Sequence, residues 1–234
     1  MRLLVVVAEG QSEEEYVGRA LAPHLRHFGV SARPQVLGTG GGVDSYDGIR
    51  TDVSPALEDA ERADGYVTTM LDLYALPRDF PGRREAPSGD PRRKVKFLEN
   101  ALWDAFGRSP RLVPYIQLHE FEALVLANLP RLLAMIAQQA SADEADVLEE
   151  TRQRFHDLGV TTCDAGGPEL VDEGNPPSRR IDDAGGELLH YPGNKVTYGA
   201  VAASDLCLAL MRERCPHFGA WVSRLEKLGA AAGA

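Results

Sequence analysis

Six apolar residues run without alternation from Leu3 to Ala8, and the pair Glu9-Gly10 stops them. A strand that is apolar on both sides must be covered on both faces, which is the condition of a central strand in a parallel sheet. Ser12-Glu13-Glu14-Glu15 then opens an amphipathic helix, so Glu9 stands where a central strand ends and a helix begins. In open α/β sheets that carboxyl edge is where ligands bind. Asp72 and Glu120 each follow another apolar strand in the same way. Three acids delivered to one edge suggest a divalent-metal site. A solvated loop position is the alternative for Glu9 taken alone.

The remaining chain fits that frame. Tyr16, Val17, Ala20, Leu21, His24, Leu25 and Phe28 recur at helical spacing, with Gly29 as terminator and Pro23 expected to kink or shorten the helix. His24, on the apolar side, reads as a packed histidine. A second strand is expected over Arg33 to Leu37, running into Gly38-Thr39-Gly40-Gly41-Gly42. Those glycines lack both the G-x-G-x-x-G spacing and a Walker lysine, and read as a mobile loop near a ligand. Ser54 to Arg62 reads as a short helix with Pro55 in its first turn. Gly65 to Asp72 is a third strand, and Arg111 to Leu118 a fourth, ending at His119-Glu120-Phe121-Glu122. Glu120 and Glu122 share a side only if the backbone stays extended there.

Later segments read as helices and loops. Ala123 to Ala127 is a buried helix, Pro130 to Gln139 another, and Ser141-Ala-Asp-Glu144 a capping box before an acidic helix. Glycine and proline dominate from Gly159 to Tyr198, which predicts a long loop, with Gly193-Asn-Lys195 adding a cation. Helices over 200–215 and 216–228 close the chain before a frayed Gly/Ala tail. The expected division is a core over residues 1–128 and a helical, loop-rich extension over 129–234 packed on it.

Charge narrows the function. The 234-residue chain carries a formal net charge of −10, so attraction of nucleic acid or an anionic membrane by the whole molecule is not expected. Residues 78–96 reverse that sign, with seven basic side chains against three acidic. Such a stretch is either a solvated loop or a phosphate clamp beside Asp72. Arg83, Arg84, Arg92, Arg93 and Lys94, with Arg179 and Arg180 behind the turn Asn175-Pro-Pro, are the candidate nucleic-acid contacts. Cys163, Cys207 and Cys215 lack metal-ligand spacing and read as packing, which together with the absent signal-peptide pattern leads us to expect a cytoplasmic protein. No apolar run approaches the length of a membrane span.

Five blocks carry a family resemblance: Glu9-Gly-Gln-Ser-Glu13, Leu71-Asp-Leu-Tyr-Ala-Leu-Pro77, Phe80-Pro-Gly82, His119-Glu-Phe-Glu-Ala-Leu124 and Pro177-Ser-Arg-Arg-Ile181. In this order they resemble the bacterial domain-of-unknown-function family 4276, considered Toprim-like. The resemblance implies an α/β fold with a Toprim-like central parallel sheet flanked by helices. Toprim domains occur in topoisomerases, primases and nucleases of ATP-dependent overcoming-lysogenisation defence systems. They place a glutamate after the first strand and an Asp-x-Asp pair after the third. Similarity carries those roles to Glu9 and Asp72, whereas the second aspartate position is Tyr74. That leaves the usual site one ligand short, unless Glu120 or Glu122 replaces it.

The expectation is a Mg²⁺- or Mn²⁺-dependent nuclease in a bacterial antiviral defence system. Glu9, Asp72 and Glu120 are its catalytic carboxylates, Glu122 a further metal ligand, and His119 a candidate proton shuttle. DNA or RNA is the expected substrate, and an ATPase encoded nearby, implied by the resemblance, is the expected partner. The competing expectation is a non-catalytic module of the same fold that binds a partner protein or nucleic acid. A small-molecule phosphotransferase or hydrolase would instead need a closed pocket.

Overall fold

In the first strand, side chains alternate between two buried layers. Leu4 and Val6 enter one hydrophobic cluster, and Val5 and Val7 enter the other. This is the period of two of an extended chain, with both faces covered. The coordinates are a computed structural model that describes residues 1–38, 44–171, 174–189, 196–197 and 205–230. The glycine loop beyond Gly38, the Gly193–Lys195 cation and the tail from 231 lie outside the described residues.

Strand β1 (Arg2–Ala8) pairs in parallel with β2 (Val30–Val36) and with β3 (Tyr66–Asp72). On its other side β3 holds β4 (Leu112–Val113) and then β5 (Ile116–Gln117), also in parallel. The sheet order is β2-β1-β3-β4, with β5 continuing along β3. The expected parallel α/β sheet flanked by helices, with a helical C-terminal region, is the observed architecture.

Where the expected fourth strand breaks, the cause is Pro114, which has no N–H to give a ladder. The Thr69 hydroxyl bridges the gap, accepting from Tyr115 N at 2.9 Å and donating to Tyr115 O at 2.8 Å. Thr68 Oγ1 donates to Val113 O at 2.5 Å. Two β-strand threonines thus replace the missing backbone bonds.

Helix α1 (Gln11–Tyr16) continues through a π-helical turn over Val17–Leu21 into α2 (Ala22–Arg26). The wide turn just before Pro23 accommodates a residue that cannot donate its i→i−4 bond. Phe28 was expected in the apolar stripe, but it follows the helix end and is exposed. His24 is half-buried, its Nε2 2.7 Å from Glu226 Oε1.

Helix α3 spans Tyr46–Arg62, longer than expected, because the Ser45 hydroxyl caps Gly48 N and Pro55 is carried in the interior. Helix α4 (Pro91–Ala105) begins at the Asp90 cap, so Arg92, Arg93 and Lys94 form its first turn rather than a loop. Helices α3 and α4 cover one sheet face.

The opposite face is covered by α1, α2, α5 (Glu122–Leu126), α6 (Leu129–Gln139), α7 (Ala145–Asp164), α8 (Pro177–Gly185), α9 (Asp205–Arg214) and α10 (Pro216–Lys227). The long loop expected from Gly159 is therefore largely helical: α7 runs through Gly159, and Pro177 starts α8 from the first helical position. Ser141 and Glu144 form the expected capping box. Cys215 is buried as expected, but Cys163 is exposed. No helix among the described residues is long and apolar enough to cross a membrane.

Candidate functional site

Parallel pairing brings the C-terminal ends of β1 and β3 side by side. Glu9 N donates to Met70 O at 3.1 Å, and Glu9 Oε2 accepts from Asp72 N at 2.9 Å. Glu9 and Asp72 therefore meet at the carboxyl edge. From α1, Glu13 turns back and accepts from Gly10 N at 3.0 Å, the third-residue carboxylate of a helix start. Glu122, in the first turn of α5, is buried beside them.

The electrostatics identify the members of the group. The Asp72 carboxyl is pushed well above its ordinary value, first by burial and then by the charges of Glu13, Glu9 and Glu122. Only the Phe121 N–H directed at it pulls the other way. Glu13 rises to about 7, again first through burial, with Glu9 and Glu122 adding repulsion. Burial and the neighbouring carboxylates thus disfavour the charged forms of Asp72 and Glu13, because little water is left to screen them. Asp72 Oδ1 is buried with no hydrogen-bond partner, a cost of about 1–3 kcal/mol for such an atom.

Glu120 has a different partner. Its Oε2 accepts from Ser178 N at 2.9 Å, at the N-terminus of α8. It does not figure among the charges acting on Asp72 or Glu13. The separation of Glu120 from Glu122 begins at His119, whose φ of +62° turns the chain out of the extended form. That left-handed conformation is uncommon for a residue with a side chain, though histidine adopts it more readily than most.

His119 is fully buried, with Nε2 3.2 Å from the Glu169 carbonyl oxygen and Nδ1 2.7 Å from the Tyr74 hydroxyl. A carbonyl only accepts, so Nε2 carries the proton and Nδ1 accepts from Tyr74. Tyr74 thus lies against the imidazole, with ring centroids 5.3 Å apart.

The basic candidates divide into two groups. Arg83 donates to the carbonyl of Leu76, and Arg180 Nε donates to Asn175 O at 2.7 Å, so both hold loops in shape. Arg92 faces the buried Glu169 carboxylate at 3.8 Å. Arg93 pairs with Asp90 at 3.7 Å, and Arg179 with Asp183 at 3.9 Å, both in exposed surroundings. Arg84 is exposed and Lys94 half-buried.

Sequence reading missed Glu13 as a site residue and missed Glu169 altogether. The usable signal for Glu13 was its place as the third residue of a helix whose cap follows a sheet-edge acid. Glu169 had no local signal. Its carboxylate accepts from His217 N and Phe218 N, both at 3.0 Å, capping α10 from a distant segment.

The donor set of Glu9, Glu13, Asp72 and Glu122 is all oxygen, which suits Mg²⁺ or Mn²⁺. The orphaned Asp72 oxygen and the suppressed charge of Glu13 are the features a cation would relieve. Among the described residues, no group of three or more His, Cys, Asp or Glu side chains is placed so that it could hold a metal ion.

A family model described as "Domain of unknown function (DUF4276)" matches residues 8–226. Among solved structures, the chain is similar to the C-terminal region of the Burkholderia pseudomallei OLD protein. That likeness has 16% identity and a TM-score of 0.44, covering 100% of this chain and 98% of that one. It is also similar to the C-terminal region of the Xanthomonas campestris pv. campestris OLD protein, with 14% identity and a TM-score of 0.35, over 94% and 96% of the two chains. No curated protein matches.

Proposed function

The chain belongs to the DUF4276 family, and we propose that its acidic sheet edge is the metal centre of a nuclease that cleaves phosphodiester bonds. The observation that carries this reading is the buried Asp72 and Glu13 carboxyls, both raised by burial and by the charges of Glu9 and Glu122, with one Asp72 oxygen buried and unpartnered. A purely structural cluster of this kind lowers stability, whereas a divalent cation turns the same repulsion into attraction.

Glu9, Asp72, Glu13 and Glu122 are the residues that would hold Mg²⁺ or Mn²⁺. The bound cation would polarise a phosphoryl oxygen and lower the pKa of a coordinated water. Glu13, raised to about 7 in the free protein, would release its proton as the cation binds. Arg84, Arg93, Lys94 and Arg179 would neutralise phosphates of DNA or RNA. His119 is better suited to positioning than to shuttling protons, since both its nitrogens are engaged by Tyr74 and Glu169. The ATPase partner and the role in defence rest on the resemblance to overcoming-lysogenisation nucleases.

Metal titration by calorimetry on wild type and Asp72→Asn tests this reading, with cleavage assays on single- and double-stranded DNA and RNA. Loss of metal binding and cleavage together in the variant supports it. Equal Mn²⁺ affinity in the two proteins refutes it. The second reading, a non-catalytic binding module, is favoured by Tyr74 at the second aspartate position, its hydroxyl committed to His119. Metal binding without cleavage of any nucleic acid would select it.

A further inference from the structure

Around the open edge of the sheet, α4 on one face and α10 on the other approach each other over Pro114 and Tyr115, leaving a cleft of about 610 Å³. Arg92, Lys96, Glu99 and Trp103 recur along α4 at helical spacing and line one wall. His217, Trp221 and Arg224 line the other. The volume falls in the range of small-ligand sites.

From the charges of this cleft and the arrangement of its rings, we infer that it is a binding site for a nucleoside phosphate, with the phosphate at Arg92, Lys96 and Arg224 and the base against the Trp103 indole. The cleft has three permanent cations in a chain of net charge −10. Its one acid, Glu99, is already engaged: Oε1 accepts from Ile116 N at 3.0 Å and lies 3.0 Å from His217 Nε2. An anion is the complement of what remains.

Arg92 supplies an independent observation. Its Nε is buried without a hydrogen-bond partner, and its ion-pair partner, Glu169, is already bonded to two backbone N–H groups. Arg92 sits in the first turn of α4, directly after the Asp90 cap. Cations at that end raise the energy of the free protein and strengthen anion binding.

The rings account for the remainder of the cleft. Trp103 Nε1 donates to Ser109 O at 2.8 Å, and Trp221 Nε1 to Thr68 Oγ1 at 2.9 Å. Both indoles are fixed with their N–H groups satisfied internally: half-buried Trp103 offers the cleft ring surface rather than a donor, whereas buried Trp221 stacks on Tyr115 at 4.2 Å and backs the wall. Anionic and planar chemistry together describe a nucleotide, free or at the end of a strand. The choice of nucleotide over other aromatic phosphates rests on the nuclease reading.

These are the only two tryptophans of the chain, so intrinsic fluorescence reports on the cleft. In EDTA, Asp72→Asn is titrated with adenosine 5′-monophosphate, inorganic phosphate and a 5′-phosphorylated tetranucleotide, then again carrying Lys96→Glu and Arg224→Glu. These two side chains are exposed, and circular dichroism checks the fold of the variant. The expected result is saturable quenching by the nucleotide, at least tenfold weaker in the charge-reversed variant. Tighter binding of the tetranucleotide assigns a strand end, and equal binding assigns a free nucleotide. No quenching, unchanged affinity after charge reversal, or phosphate binding as tightly as the nucleotide overturns the proposal. Because no metal is present and Asp72 is replaced, these outcomes are independent of whether the acidic site cleaves anything.

Discussion

Replacing Glu13 by Gln isolates the charge that the acidic edge suppresses. The carboxyl rises from 4.5 to about 7 on folding, and at roughly 1.4 kcal/mol per unit this is about 3 kcal/mol. For an acid raised on folding, the folded state binds the extra proton. The stabilising effect is therefore complete below about pH 4.5, declines as pH rises towards 7, and is absent above it. Glutamine keeps the shape and an oxygen for Gly10 N–H, but cannot ionise. The variant should match wild type near pH 4.5 and exceed it by up to roughly 3 kcal/mol at pH 8, without divalent metal. Adding Mn²⁺ at 100 times its dissociation constant should return about 2.7 kcal/mol to wild type and much less to the variant. Urea denaturation at a series of pH values, with EDTA or Mn²⁺, measures all of this. A difference that is independent of pH, or a variant less stable than wild type at pH 8 in EDTA, would refute the charge-suppression account.

Glu120→Gln should leave Mn²⁺ affinity intact while costing about 1 kcal/mol, because it weakens only the cap at Ser178 N; calorimetry and denaturation read the two effects separately. Thr69→Val should destabilise by about 2–3 kcal/mol, since it strands both backbone groups of Tyr115 beside Pro114, and urea midpoints report it. Burial pulls the His217 imidazole down, but Glu99 and Glu169 outweigh it, so the net shift is upward. That pairing stabilises the fold fully below the ordinary value of 6.5 and is lost as pH rises through the raised one. In Glu99→Gln the His217 midpoint, followed by NMR, should fall, and an unchanged midpoint would remove Glu99 as its cause.

By itself the sequence determined the parallel core and half of the acidic edge. The unbroken apolar runs of β1 and β3 require cover on both faces, and residues that end such strands must emerge together, which brought Glu9 to Asp72. For Glu120 the structure adds what the strand pattern does not carry: its carboxylate accepts from Ser178 N, after a left-handed turn at His119 whose imidazole meets Tyr74 and Glu169. Glu13 looked like one of three equivalent acids on a helix, and the rotation of α1 against the sheet selected it for burial. The length of α3 and the helix through Gly159 were hidden by Pro55 and by local glycine content, signals that packing overrode. The cleft between α4 and α10 was invisible for a simpler reason. Its walls are far apart in the chain, and nothing in either segment records that the broken strand edge at Pro114 would bring them together.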